Sequence, residues 1–221
     1  MCRPWLTVST DTLGAASPWR TFRWYRGQKH YSGTYWSATC GGHLIYESRM
    51  ELARLLLADF DRAVSWIVPQ PFLLEVVIHG RLRRHIPDFL LITGEGPVVV
   101  DVKPASQVLK PVVAQTFAWT RQVVESRGWS YEVFTGVEPT LSGNIRFLAG
   151  YRRTDYFRDD VLEMMSSPEL VGLTVAEAIS RRKTYSPEIS KSALMHMLWR
   201  QHFVVDMTTP LSGRHVLEAP G

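Results

Sequence analysis

The sequence predicts an α/β protein, a mixed sheet flanked by helices with a small C-terminal winged-helix-like region. Two apolar runs, Phe89-Leu90-Leu91-Ile92 and Val98-Val99-Val100, flank the turn-forming run Thr93-Gly94-Glu95-Gly96-Pro97 and predict an antiparallel hairpin. Leu109, Val112, Val113, Thr116, Phe117, Val123 and Val124 then repeat at helical spacing. A further strand, Trp129 to Phe134, follows the break at Gly128. A strand joined through a helix to another strand implies a mixed sheet with helices on both faces.

At 221 residues the chain can bury a full core as one large domain or a large one plus a small one. Apolar content of 45% and charged content of 21% are those of a soluble globular protein, and a cytoplasmic location is expected. No apolar run reaches the roughly 18 residues that span a bilayer. Cys2 and Cys40 have no metal-ligand spacing, and no disulfide is expected. The formal charge is +4, which allows an anionic partner. Before Glu47 the chain carries Arg3, Arg20, Arg23, Arg26 and Lys29 against Asp11 alone. Later clusters are Arg81/Arg83/Arg84, Arg152/Arg153 and Arg181/Arg182/Lys183. Such patches suit a phosphate backbone, while any single cluster reads first as a solvated surface.

Taken in order, residues 1 to about 18 lack periodicity and are expected to be mobile. From Trp19 to Ala38, Phe22, Trp24, Tyr31, Tyr35 and Trp36 interleave with Arg23, Arg26 and Lys29. This basic aromatic arm, residues 1–44, can hold phosphates and stack on bases, or pack its aromatics on the main domain. Ser48 to Phe60 predicts a helix with Leu52, Leu55, Leu56 and Phe60 on one face and a capping box from Ser48 to Glu51. Pro69-Gln70-Pro71 breaks the chain, Phe72 to Ile78 predicts a strand, and Gly80 turns it into the central hairpin, giving three antiparallel strands. Asn144 to Tyr151 predicts a helix, and a composition shift at 152–160 sets the boundary of a C-terminal region, 153–221. There Thr174 and Glu177 make a second capping box, Ser190 opens another helix, and Phe203–Asp206 with His215–Leu217 predict a hairpin. Helix, helix, hairpin is the outline of a winged helix-turn-helix, or of a small packing subdomain.

The central hairpin also carries the candidate chemistry. Counting outward from a turn near Glu95 sets Asp88 opposite the end that holds Asp101 and Lys103. Asp101 and Lys103 are two apart and share a face. Glu51 sits at the border of the apolar face of the preceding helix. Charges at the end of an apolar hairpin are costly unless paired or bound to a cation. Glu51, Asp88 and Asp101 as hard oxygen ligands suit Mg²⁺, with Mn²⁺ as a substitute. A metal there polarises a phosphoryl oxygen, and Lys103 orients the attacking water or steadies transition-state charge. The structural alternative is an ion pair of Asp88 or Asp101 with Lys103 or Arg84.

Pro87-Asp88 followed by Asp101-Val102-Lys103 resembles the PD-(D/E)xK nuclease superfamily, with its restriction-endonuclease-like fold, over about residues 45 to 150. Within it the chain looks most like the TnsA family, the endonuclease subunit of heteromeric transposases. Ser48-Arg49-Met50-Glu51-Leu52, Gln70-Pro71 and Asn144-Ile145-Arg146-Phe147-Leu148 carry that likeness; Leu198-Trp199-Arg200 and Val205-Asp206-Met207 carry it more weakly. The resemblance implies a nuclease domain over residues 45–152. It also implies a metal held by Glu51, Asp88 and Asp101, with Lys103 at the scissile phosphate. It implies cutting of the 5′ ends of an element beside a TnsB-like DDE transposase, with a TnsC-like ATPase regulator. Double-stranded DNA would be gripped by Arg23, Arg26, Lys29, Arg83 and Arg84. Asp101 stands where TnsA-type sites can carry Gln, which brings this site closer to the restriction-enzyme form. A stand-alone nuclease of repair, restriction or defence, or a non-catalytic DNA-binding assembly module, are the other readings of the same residues.

Overall fold

The computed structural model describes residues 4–9, 12–13, 31–181 and 183–221. A ribbon of β1 (Gly33–Ser37) and β2 (Gly42–Tyr46) leads into helix α1 (Arg49–Phe60). Strand β3 (Val64–Pro69) follows, then a second ribbon of β4 (Leu74–Ile78) and β5 (Arg81–His85), then the hairpin β6 (Phe89–Thr93) and β7 (Gly96–Val102). Helices α2 (Ala105–Val108) and α3 (Pro111–Glu125) cross over to β8 (Ser130–Phe134). The central sheet has the order β3-β6-β7-β8. Its first two pairs are antiparallel and β7–β8 is parallel, so the expected mixed α/β architecture of the restriction-endonuclease kind is present.

The hairpin closes at Thr93↔Gly96. Thr93 Oγ1 donates to Gly96 O at 2.7 Å and accepts the Glu95 N–H at 3.2 Å. Leu90 and Val99 are register partners without solvent exposure. They share one core with Val68, Tyr131 and, from α3, Phe117, Trp119 and Val124. That packing explains why the apolar face of α3 repeats at helical spacing.

One expectation about the sheet needs correction. The strand beside β6 is β3, not residues 72–78, and β4 belongs to a separate two-stranded ribbon with β5. Ile67 and Val68 are buried, whereas β4 alternates and leaves Val77 67% exposed. An alternating strand suits a ribbon with one wet face; a short buried run suits the sheet. Pro69 ends β3, and proline is tolerated at a strand end on a sheet edge. The ribbon turns at His79 and Gly80, both at positive φ (49° and 72°), as a tight two-residue hairpin turn requires.

Among the described residues of the stretch expected to be mobile, Trp5 is held in place. Trp5 Nε1 donates to Val123 O at 2.8 Å. Its ring meets Phe72 and Trp129 edge-on, and Arg127 lies over both indoles.

The contacts divide the chain into two compact units, one up to Gly136 and one from Val137. The expected boundary at 152 falls inside the second. That unit contains α4 (Pro139–Leu148), α5 (Asp159–Met165), α6 (Val175–Arg181) and α7 (Pro187–Trp199). Its helix α7 is buried almost throughout from Ser190 to Trp199. Thr174 and Glu177 form the expected capping box, each side chain bonding the other's backbone N–H. Helix α7 starts earlier than expected: Ser186 is its N-cap and Pro187 its first residue, a favoured pairing at a helix start. Ser190 is fully buried inside the helix. The C-terminal hairpin is reduced to single antiparallel bridges, Val204↔Glu218 and Thr174↔Val216.

Candidate active site

Ser48 caps α1, accepting the Glu51 N–H at 3.1 Å. The Glu51 carboxylate reaches back one residue further than a capping box requires and accepts the Glu47 N–H at 2.7 Å. Arg54, one turn along, makes a bidentate ion pair with Glu132 of β8 at 2.9 and 2.8 Å. The helix that carries Glu51 is thus fastened to the sheet that carries the other acids.

Asp88 is fixed by the sheet itself. Its N–H donates to Val100 O at 3.0 Å, its carbonyl accepts the Gln70 N–H at 2.8 Å, and its Oδ2 accepts the Val102 N–H at 2.6 Å. Gln70 is buried and holds φ at +45°, a conformation that is rare for a residue with a side chain. Its Nε2 donates to Glu47 Oε1. One residue therefore touches the Asp88 backbone on one side and the Glu47–Glu51 turn on the other.

Glu51, Asp88, Asp101 and Lys103 line one cleft of about 330 Å³, together with His85 and, from α3, Val112, Thr116 and Phe117. The four residues singled out from the sequence are brought to one place. Their partners differ from what was expected. Asp101 is buried, and its carboxylate faces His85 Nε2 at 2.8 Å from both oxygens. Its Oδ2 also accepts the Tyr131 hydroxyl. The Lys103 side chain makes no hydrogen bond or ion pair with a described residue, while its backbone N–H donates to Phe134 O at 2.9 Å. The ion pair of Asp88 or Asp101 with Lys103 or Arg84 does not form. Arg84 instead donates to Glu75 across the ribbon at 2.6 Å, and Arg83 is half-buried on the other ribbon face. Arg23, Arg26 and Lys29 lie outside the described residues.

The electrostatics follow from burial. Desolvation, and then the charges of Glu51 and Asp101, push the Asp88 carboxyl up to about 8, against the pull of the Val102 N–H and of Lys103. Burial likewise raises Glu51, opposed by the Glu47 N–H. Burial and the neighbouring Asp101 charge raise the Tyr131 hydroxyl, so it remains a donor. Among the described residues, no three His, Cys, Asp or Glu side chains form a preformed metal cage. Both Asp101 oxygens are turned to His85 and Tyr131. Glu51 and Asp88 remain. Two carboxylates whose ionisation is opposed by burial and by like charge fit a small dication that keeps several waters and takes one or two carboxylates.

Sequence reasoning missed His85, Tyr131 and Gln70. His85 and Tyr131 are placed by pairing: Val99↔Tyr131 and Asp101↔Val133 put Tyr131 and Asp101 on one face, and the ribbon's last residue, His85, meets them there. No signal within 84–103 alone points to Tyr131.

No curated protein matches the chain. Residues 61–136 match a protein-family model described as TnsA-like endonuclease N terminal. The matched stretch runs from β3 through β8 and holds His85, Asp88, Asp101, Lys103 and Tyr131, while Glu51 precedes it. The match supports a nuclease role in transposition. Residues 61–136, which hold the four-stranded sheet and all of the cleft but Glu47 and Glu51, are thus similar to the N-terminal domain of TnsA-like endonucleases.

Proposed function

We propose that the protein is a Mg²⁺-dependent DNA endonuclease that cuts the 5′ ends of a mobile element beside a TnsB-like DDE transposase. A TnsC-like ATPase is the partner class that would regulate it. The observation that carries the reading is Asp88: a residue held in the sheet by two backbone hydrogen bonds and by one from the Val102 N–H to its carboxyl, which is pushed up to about 8 by burial and by neighbouring acids and shares its cleft with Lys103. Perturbed acids beside a cation in a cleft support a catalytic reading over a structural ion pair.

Glu51 and Asp88 would hold the ion. When bound, Mg²⁺ supplies countercharge to the phosphodiester and polarises a phosphoryl oxygen. Lys103, whose side chain has no hydrogen bond or ion pair among the described residues, is left to meet the charge that builds on the scissile phosphate. The ribbon arginines, Arg81 and Arg83 on one face and Arg84 on the other, would meet flanking phosphates, with Arg23, Arg26 and Lys29 of the arm.

Purified protein with Mg²⁺ and its transposase partner should cut element-end DNA. Lys103→Ala should cut about 10²–10³-fold more slowly, the usual loss when one transition-state donor is removed. Equal cutting by parent and Lys103→Ala would refute the assignment. Cutting without any partner would place the protein among stand-alone nucleases instead.

A further inference from the structure

The corner between α2 and α3 lies at the mouth of the cleft. Val112, in the first turn of α3, lines the cleft and is still 77% exposed. Leu109, at the corner itself, is 88% exposed. Their neighbours Val108 and Val113 pack instead against the apolar core. The corner is held in shape. Pro104 and Pro111 bracket it with fixed φ angles. The Gln107 N–H donates to Pro104 O at 2.8 Å, the Lys110 N–H to Gln107 O at 3.1 Å, and the Ala114 N–H to Lys110 O at 2.9 Å.

Scattered apolar side chains on a surface need no explanation, but this pair sits on one rigid corner at the rim of a cleft lined by acids and a lysine. Whatever covers the pair shares that mouth with the phosphodiester that has to enter. The charge around it selects the occupant. From Lys103 to Val124 the chain carries Lys103, Lys110 and Arg121 and no acidic residue, which suits a polyanion. Three residues of chain span at most about 11 Å, so Leu109 lies within about three stacked base pairs of the cleft lining.

We propose that this corner is a DNA-distorting lip: Leu109 enters the base stack beside the scissile phosphate, Val112 lies against the adjoining sugar, and Lys110 holds a flanking phosphate. Apolar wedges of this kind unstack a base step and bend the duplex. The bend brings the phosphate toward Asp88 and Lys103, which line the cleft that Val112 borders. The proposal rests on the endonuclease reading and deepens it: the substrate is a duplex opened next to the cut, not a straight one.

The test uses the full chain, its partner, and element-end DNA carrying 2-aminopurine, a base whose fluorescence rises when it is unstacked. The reporter is placed at successive positions within about three base pairs of the cut. With Ca²⁺ in place of Mg²⁺, binding of the parent should raise the fluorescence at one of these positions, and binding of Leu109→Ala should not. With Mg²⁺, Leu109→Ala should cut paired DNA about tenfold or more slowly, the scale of losing most of one leucine's apolar contact. The exposed position keeps the core out of the comparison. A mismatch built into the DNA at the unstacked position should return most of the lost rate, because that step is already open; a merely structural role would not be relieved by it. No fluorescence rise with the parent, or Leu109→Ala cutting paired DNA at the parental rate, would overturn the proposal and leave the endonuclease reading intact. Slower cutting that the mismatch does not relieve, with the transposase no longer retained by the variant, would also overturn it and assign the corner to a protein contact. A parent that raises the fluorescence yet cuts nothing would sink the endonuclease reading and keep the lip.

Discussion

Asp88→Asn should make the metal-free protein more stable near neutral pH while removing its cleavage. The Asp88 carboxyl lies near 3.8 in a free chain and is pushed up to about 8 in the fold. Each unit of such a difference is worth about 1.4 kcal/mol. A carboxyl raised in this way favours the fold fully below pH 4, and that contribution is lost as pH climbs toward 8. At pH 7 the loss is at most roughly 4 kcal/mol. Part of the Asp88 surface still reaches the cleft, and water there relieves some of it, so about 1–3 kcal/mol is expected. Asparagine keeps an oxygen for the Val102 N–H and carries no charge. The variant-minus-parent difference should be near zero at pH 4, grow to pH 8 and then level off. For a chain of this size each kcal/mol moves the melting temperature by about 2–4 °C. Thermal melts followed by tryptophan fluorescence in EDTA, across that pH range, give the curve. Mg²⁺ should then raise the parent by about 2.7 kcal/mol at a hundredfold excess over its dissociation constant and leave the variant unmoved. A variant less stable than the parent at pH 7, or a difference that does not change with pH, would refute the reasoning.

Asp59 is buried and accepts from Tyr35, Ser37 and the backbone N–H groups of Ala38 and Thr39 at 2.6–3.0 Å. Asp59→Ala orphans these donors and should cost about 3 kcal/mol or more, read as a drop in the urea midpoint. Arg54→Lys keeps the charge but loses the bidentate pair with Glu132, and should weaken Mg²⁺ binding, measured by calorimetry, because α1 then holds Glu51 less firmly. Arg83→Ala should lower the slope of log affinity for duplex DNA against log salt by about 1; an unchanged slope removes Arg83 from the interface. The arm is best tested by neutralising Arg23, Arg26 and Lys29 singly. Deleting residues 1–40 would also strip Trp5 from Val123 and Tyr35 and Ser37 from Asp59, so a loss of binding would not distinguish contact from folding.

The amino-acid sequence by itself determined the local pieces: the α1 cap at Ser48, the turn at Gly94-Glu95, the apolar face of α3, and the placement of Asp88 opposite Asp101. These depend on spacing and on residues close along the chain, where 3.6- and 2-residue periods suffice. Only the tertiary structure decided which strand flanks β6, because Val64–Pro69 and Leu74–Ile78 are both short apolar runs. They separate only once one is buried on the sheet and the other is half wet. It alone decided what Asp101 does. His85 arrives on a separate ribbon, and Tyr131 comes from the far end of the crossover, thirty residues on. A carboxylate's partners are set by which strands lie side by side, and the parallel β7–β8 register is fixed by packing across the whole sheet rather than by any nearby residue.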